Sequence, residues 1–141
     1  MSIFDRLYKI ILMENIQKLL KPKVKEFDIN LSIYSHPEII DISYDLLTLE
    51  FENKWVYVIF KNVIGFRVLD EGNLLGFWDE DVRTSGWIWK VESGGWFELE
   101  KLRSGFLAQN HGDSHNEFLI LGINDCVSII AESNPIIIDA K

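Results

Sequence analysis

Cysteine is nearly missing from this chain: Cys126 is the only one among 141 residues. A single thiol excludes an intramolecular disulfide and fits a reducing compartment. Long hydrophobic runs are missing too. The apolar stretches are a few residues each, far short of the roughly 20 that a membrane-crossing helix needs. The first 20 residues are partly apolar, but Asp5, Arg6, Lys9, Glu14 and Lys18 interrupt them, so they lack the uncharged core of a signal peptide. A cytoplasmic protein without a membrane partner is the expectation. Positive charge is also scarce. Lys and Arg number 14 against 22 Asp and Glu, a formal charge of −8. Such a field repels phosphate backbones, which argues against nucleic-acid binding, and attracts basic proteins. No catalytic motif occurs, and there is no internal repeat, linker or low-complexity tract.

Aromatic and apolar side chains are abundant. Hydrophobic content is 48% and aromatic content 13%, enough for one well-filled core and too much for a disordered chain. A single domain over residues 1–141 follows from that length. The densest stretch is Gly65 to Phe97, which holds four of the five tryptophans (Trp78, Trp87, Trp89, Trp96) and six of the nine glycines. Interleaved are Asp70, Glu71, Asp79, Glu80, Asp81 and Glu92. Large rings joined by glycine turns read first as an aromatic mini-core. The sharper reading is that one edge of the segment is a binding surface, since Trp is enriched where interfaces are strongest.

Periodicity sets the fold class. Ile3, Leu7, Ile10, Ile11, Ile16, Leu19 and Leu20 put one face of a helix against a core, with Ser2 and Asp5 as a capping pair. From Phe27 the period becomes two: Phe27, Ile29, Leu31 and Ile33 alternate with polar residues. Ile42–Glu52 and Trp55–Phe60 read as a hairpin turning at Glu52-Asn53-Lys54, its second strand apolar on both faces and so expected to be covered on both sides. Val63–Leu69 continues the meander, and Phe97–Phe106 suits a short helix. Residues 109–116 read as an exposed loop. Phe118–Leu121 and Cys126–Ile130 form a second hairpin, and Ile136–Ile138 an edge strand behind Pro135. The expected architecture is α+β: one antiparallel sheet of about six strands with the N-terminal helix packed on it.

Chemistry has few anchors. His111, Asp113, His115 and Glu117 are metal-ligand types within seven residues, but their glycine- and serine-rich setting favours a solvated loop, and no metal or other cofactor is expected. Cys126 sits in an apolar run with no histidine beside it, so it reads as a small buried hydrophobe. Carboxylate pairs such as Asp79/Asp81 or Glu98/Glu100 would suit glycoside chemistry beside stacking tryptophans, although an exposed acidic face explains them as well. Gly65–Gly72 lacks the lysine and the glycine pattern of a phosphate loop.

The strings Gly65–Trp78 and Gly86–Trp96, with Glu117-Phe-Leu-Ile and Asp125-Cys-Val-Ser further on, resemble small bacterial immunity proteins. Such proteins are encoded beside polymorphic or contact-dependent growth-inhibition toxins. The resemblance spans roughly residues 27–138 and implies a cytoplasmic, non-enzymatic inhibitor that binds the C-terminal domain of a cognate toxin. It carries over no residue roles. Many such toxins are nucleases with basic clefts, so the residues expected to meet the partner are Asp70, Glu71, Trp78, Asp79, Glu80, Asp81 and Glu92, with Trp78 as anchor. The competing expectation is a small carbohydrate-active or ligand-binding domain using the same Trp and carboxylate surface.

Overall fold

The computed structural model describes residues 2–10, 23–27, 36–43, 45–70, 86–102 and 115–140. Helix α1 covers residues 3–10, and its start is the expected reciprocal cap. The Asp5 N–H donates to Ser2 Oγ at 3.1 Å, while the Ser2 N–H and hydroxyl donate to Asp5 Oδ2 at 3.3 and 2.8 Å. The helix is not pressed against a sheet over these residues: Ile3, Phe4, Leu7, Tyr8 and Ile10 are all exposed. Among the described residues no helix is long and apolar enough to cross a membrane.

The strands are β1 (Lys23–Glu26), β2 (Glu38–Ile42), β3 (Leu46–Phe51), β4 (Lys54–Ile59), β5 (Gly65–Asp70), β6 (Ile88–Ser93), β7 (Asn116–Leu121), β8 (Asp125–Ala131) and β9 (Ile136–Ala140). Helix α2 (Gly95–Lys101) follows β6. The α+β class is as expected, but the strands divide between two antiparallel sheets rather than one. The larger has the order β1-β6-β7-β8-β5 and the smaller β2-β3-β4-β9. A period of two marks a strand without naming its neighbours, and nothing local tells β9 to return beside β4. Strand β1 carries only one apolar residue, Val24, among lysines and a glutamate, which hides it from pattern reading. Of the strand expected at Phe27–Ile33, only Phe27 lies within the described residues.

The two sheets pack face to face. Leu47, Leu49, Val56 and Val58 of the smaller sheet meet Ile88, Phe118, Ile120, Val127 and Ile129 of the larger. Register explains the selection: Phe118 stands opposite Ile129 and Ile120 opposite Val127, and directly opposed residues share a face. Trp87 joins this core, edge-to-face against Phe51 at 5.1 Å between ring centroids. Turn chemistry locks the β3–β4 hairpin, because Glu52 and Asn53 both take positive φ (46° and 71°), as a two-residue turn matched to strand twist requires. Strand β4 lies inside its sheet, with one face fully buried and the other, which carries the half-buried Tyr57 and Ile59, only partly so. Val56 and Val58 are buried, whereas Trp55 on the opposite face is 43% exposed.

The second face of the larger sheet carries Trp89, Leu119, Leu121 and Cys126 as a separate buried cluster. Towards the other end of that face, Phe97 of α2 covers Ile130, with Ile64 and Trp96 packed alongside. The segment's tryptophans do not share one mini-core: Trp87, Trp89 and Trp96 pack in three separate clusters, and Trp78 lies outside the described residues.

Candidate binding cleft

At the end of β6 the chain reverses through Gly94 and Gly95, both at positive φ (70° and 88°), and enters α2 at once. The reversal folds α2 back onto the sheet over β7. A side chain at Gly95 would be strained by the positive φ and crowded, since a Cβ there would lie 3.0 Å from Glu117 Oε1. No side chain of the turn caps the helix. The cap comes from the sheet instead: the Phe97 N–H donates to Glu117 Oε1 at 2.7 Å, and the Trp96 N–H to Oε2 at 3.3 Å. A carboxylate on a central strand thus satisfies two N–H groups that a helix start leaves orphaned.

Glu117 is 3% exposed. Burial pushes its pKa up to about 7; the Phe97 and Trp96 N–H donors and the Arg67 guanidinium oppose the rise, and Glu98 adds to it. A carboxyl titrating near neutrality is what acid–base catalysis uses. Here both oxygens accept backbone hydrogen bonds, which makes Glu117 the anchor of α2. Arg67, half-buried on β5, shares this face by register. Its guanidinium lies 5.2 Å from the Trp96 ring centroid, and Trp96 Nε1 donates to Glu100 Oε1 at 3.1 Å. Burial lowers the Arg67 pKa from its ordinary value, while Glu117 and Glu100 hold it up.

Beside this anchor opens a cleft of about 220 Å³. Its charged and polar lining comes from Glu92 on β6, Glu98 and Lys101 on α2, and His115, Asn116 and Glu117 at the start of β7. Lys101 Nζ sits 4.3 Å from the Phe97 ring centroid, so part of the positive charge is turned onto an aromatic face. Glu92 and Glu98 against one lysine, with Glu117 only part-ionised at neutrality, leave the cleft with the sign of the whole chain. Its volume suits one side chain or small molecule more than a drug-sized ligand.

The expected partner-binding residues are not gathered here. Glu92 lines the cleft, but Asp70 ends β5 opposite Asp125, at the other end of the sheet. Glu71, Trp78, Asp79, Glu80 and Asp81 lie outside the described residues, as do His111 and Asp113. His115 and Glu117 line the cleft, and no group of three or more ligand side chains able to hold a metal occurs among the described residues. No tryptophan among the described residues lines the cleft. Pattern reading missed Glu98 and Glu117 as a pair. The available signal was a lone carboxylate heading the apolar run Phe118–Leu121, which in a strand must find a buried partner. Compared with protein-family models, curated proteins and solved structures, the chain gives no match.

Proposed function

We propose that this chain is an immunity-type inhibitor: a protein that binds the cognate toxin domain in the producing cell and blocks its substrate cleft, without chemistry of its own. The observation that carries the reading is the acidic cleft, where Glu92 of β6 and Glu98 of α2 line one opening held by the buried Glu117 anchor, in a chain of net charge −8. Inhibition by occupancy needs a preorganised surface and charge complementarity. A basic cleft evolved for phosphate would be drawn to this field, and an arginine or lysine at its rim would fit between Glu92 and Glu98. The resemblance noted in the sequence points the same way. Asp70, Glu71, Trp78 and the acidic run Asp79–Glu80–Asp81 stay proposed partner contacts on charge and residue type alone, with Asp70 at the end of the sheet away from the cleft. A sugar-binding reading draws no support from the described lining of the cleft, which holds no tryptophan.

Co-expression tests the proposal. The C-terminal domain of the large protein encoded directly upstream is induced in a bacterium with and without this chain. Restored growth and co-purification at a fixed ratio are the expected result, with the double variant Glu92→Gln/Glu98→Gln associating about tenfold more slowly at low salt. Growth that stays blocked, with nothing co-purifying, refutes the inhibitor reading. Rescue with an unchanged association rate in the double variant refutes only the role of the cleft.

A further inference from the structure

Among the described residues α1 and part of one sheet face present apolar side chains to solvent, and each has what the other lacks. The first is α1. Ile3, Leu7 and Ile10 form one stripe along residues 3–10, and Phe4 and Tyr8 widen it. All five are exposed, Phe4 at 84%. The remaining arc carries Asp5, Arg6 and Lys9. The second is the outer face of the smaller sheet, turned away from the core. Register places Thr48, Tyr57 and Ile138 in one row of that face, and Leu46, Ile59 and Ile136 in another; Thr48 is buried and Leu46, Tyr57 and Ile59 are half-buried, so the open part lies towards β9. Trp55, Ile136 and Ile138 are each at least 43% exposed. The third row sets Glu38 directly opposite Glu50, with Trp55 beside them. Two carboxylates facing each other across a strand pair repel, and the described residues place no salt bridge on either.

We propose that α1 docks on the outer face of the β2-β3-β4-β9 sheet of a second copy, each copy lending its helix to the other about a twofold axis. The apolar stripe covers Trp55, Tyr57, Ile59, Ile136 and Ile138. Arg6 and Lys9, on the flank of the stripe, meet the Glu38–Glu50 corner and relieve its repulsion. A helix on its own copy's sheet would cover both surfaces, yet among the described residues the α1 stripe and Trp55, Ile136 and Ile138 are exposed in the single chain. Reciprocal exchange uses both surfaces twice, moving the buried area towards the roughly 1,200–2,000 Å² of stable interfaces. The dimer is a property of this chain alone and does not depend on the inhibitor reading.

The test is sedimentation of the isolated full chain from about 1 to about 100 µM, a range that brackets micromolar association. The wild type is expected to dimerise. Leu7→Glu on the helix and Ile138→Glu on the sheet each weaken dimerisation at least about tenfold while leaving the circular dichroism spectrum unchanged. Tyr8→Glu and Ile136→Glu replace either variant if it misfolds. An equimolar mixture of one helix variant and one sheet variant regains association, because one intact helix still meets one intact sheet. A wild type that stays monomeric overturns the proposal. So does a dimer indifferent to either substitution, or a mixture that fails to recover. A monomer in which Leu7→Glu alters Trp55 fluorescence also overturns it, by assigning the helix to its own sheet.

Discussion

Replacing Glu117 by Gln isolates the cost of anchoring α2 with a buried carboxyl. In the folded protein this group titrates near pH 7, against an ordinary value of 4.5. Between those values the folded chain still holds the proton and the unfolded chain has released it. Stability therefore falls as pH rises through that window and is greatest below it. A shift of this size corresponds to about 3 kcal/mol, at roughly 1.4 kcal/mol per pH unit. Glutamine keeps the shape and still accepts the Phe97 N–H at 2.7 Å, but its amide would face the Trp96 N–H, now 3.3 Å from a carboxylate oxygen. Losing that weaker bond costs about 1 kcal/mol at all pH values. Urea unfolding of both proteins from about pH 4 to about pH 8 gives the difference, wild type minus variant, free of every other titrating group. That difference should fall by about 3 kcal/mol across the range. A flat difference, or one that rises with pH, would refute the assignment of a raised pKa to Glu117 and with it the balance of burial against the N–H donors.

Other substitutions follow from the same geometry. Gly95→Ala forces a side chain to φ +88° and to 3.0 Å from Glu117 Oε1; thermal unfolding should show a loss of about 2 kcal/mol or more. Phe118→Ala empties the centre of the sandwich, where the ring is wholly buried between Phe27 and Phe60, and chemical denaturation should record a loss of about 3–5 kcal/mol. Asn in place of Glu52 together with Gly in place of Asn53 relieves positive φ at both turn positions and should raise stability by about 0.5–1 kcal/mol in the same assay. Lys54→Ala removes the 2.8 Å bridge to Asp139, but with both side chains near 40% exposed the loss should stay below about 1 kcal/mol and shrink in salt.

Pattern reading found most of the strands because they alternate and are closed by local turns. The hairpins through Glu52–Asn53 and through Gly122–Asn124 fall where turn residues interrupt apolar runs. Partition into two sheets was hidden, since pairing β4 with β9 joins residues some 80 positions apart and no short-range signal encodes it. The candidate site was half legible. Glu92 was noticed for its charge, yet Asp70, grouped with it by closeness in sequence, sits at the far end of the sheet. Linear spacing says nothing about which end of a strand a residue reaches once the chain reverses several times. Glu117 was weighed as a loop ligand because polar residues precede it; its place inside β7 turns the same carboxyl into a helix cap.

The β4–β9 pairing also carries a consequence for synthesis. A ribosome releases β2, β3 and β4 early, and their hairpins need only neighbouring residues. Strand β9 is made after every other strand, so the β4 edge stays open while β5 to β8 are translated and assembled. That edge reads Lys-Trp-Val-Tyr-Val-Ile, a β-prone stretch whose unpaired N–H and C=O groups would template a neighbouring nascent chain. Slow elongation after residue 70 would lengthen the exposure, and crowded polysomes would turn it into aggregation. Yield in the cell should then depend more on translation rate and chaperone supply than on the stability of the finished fold.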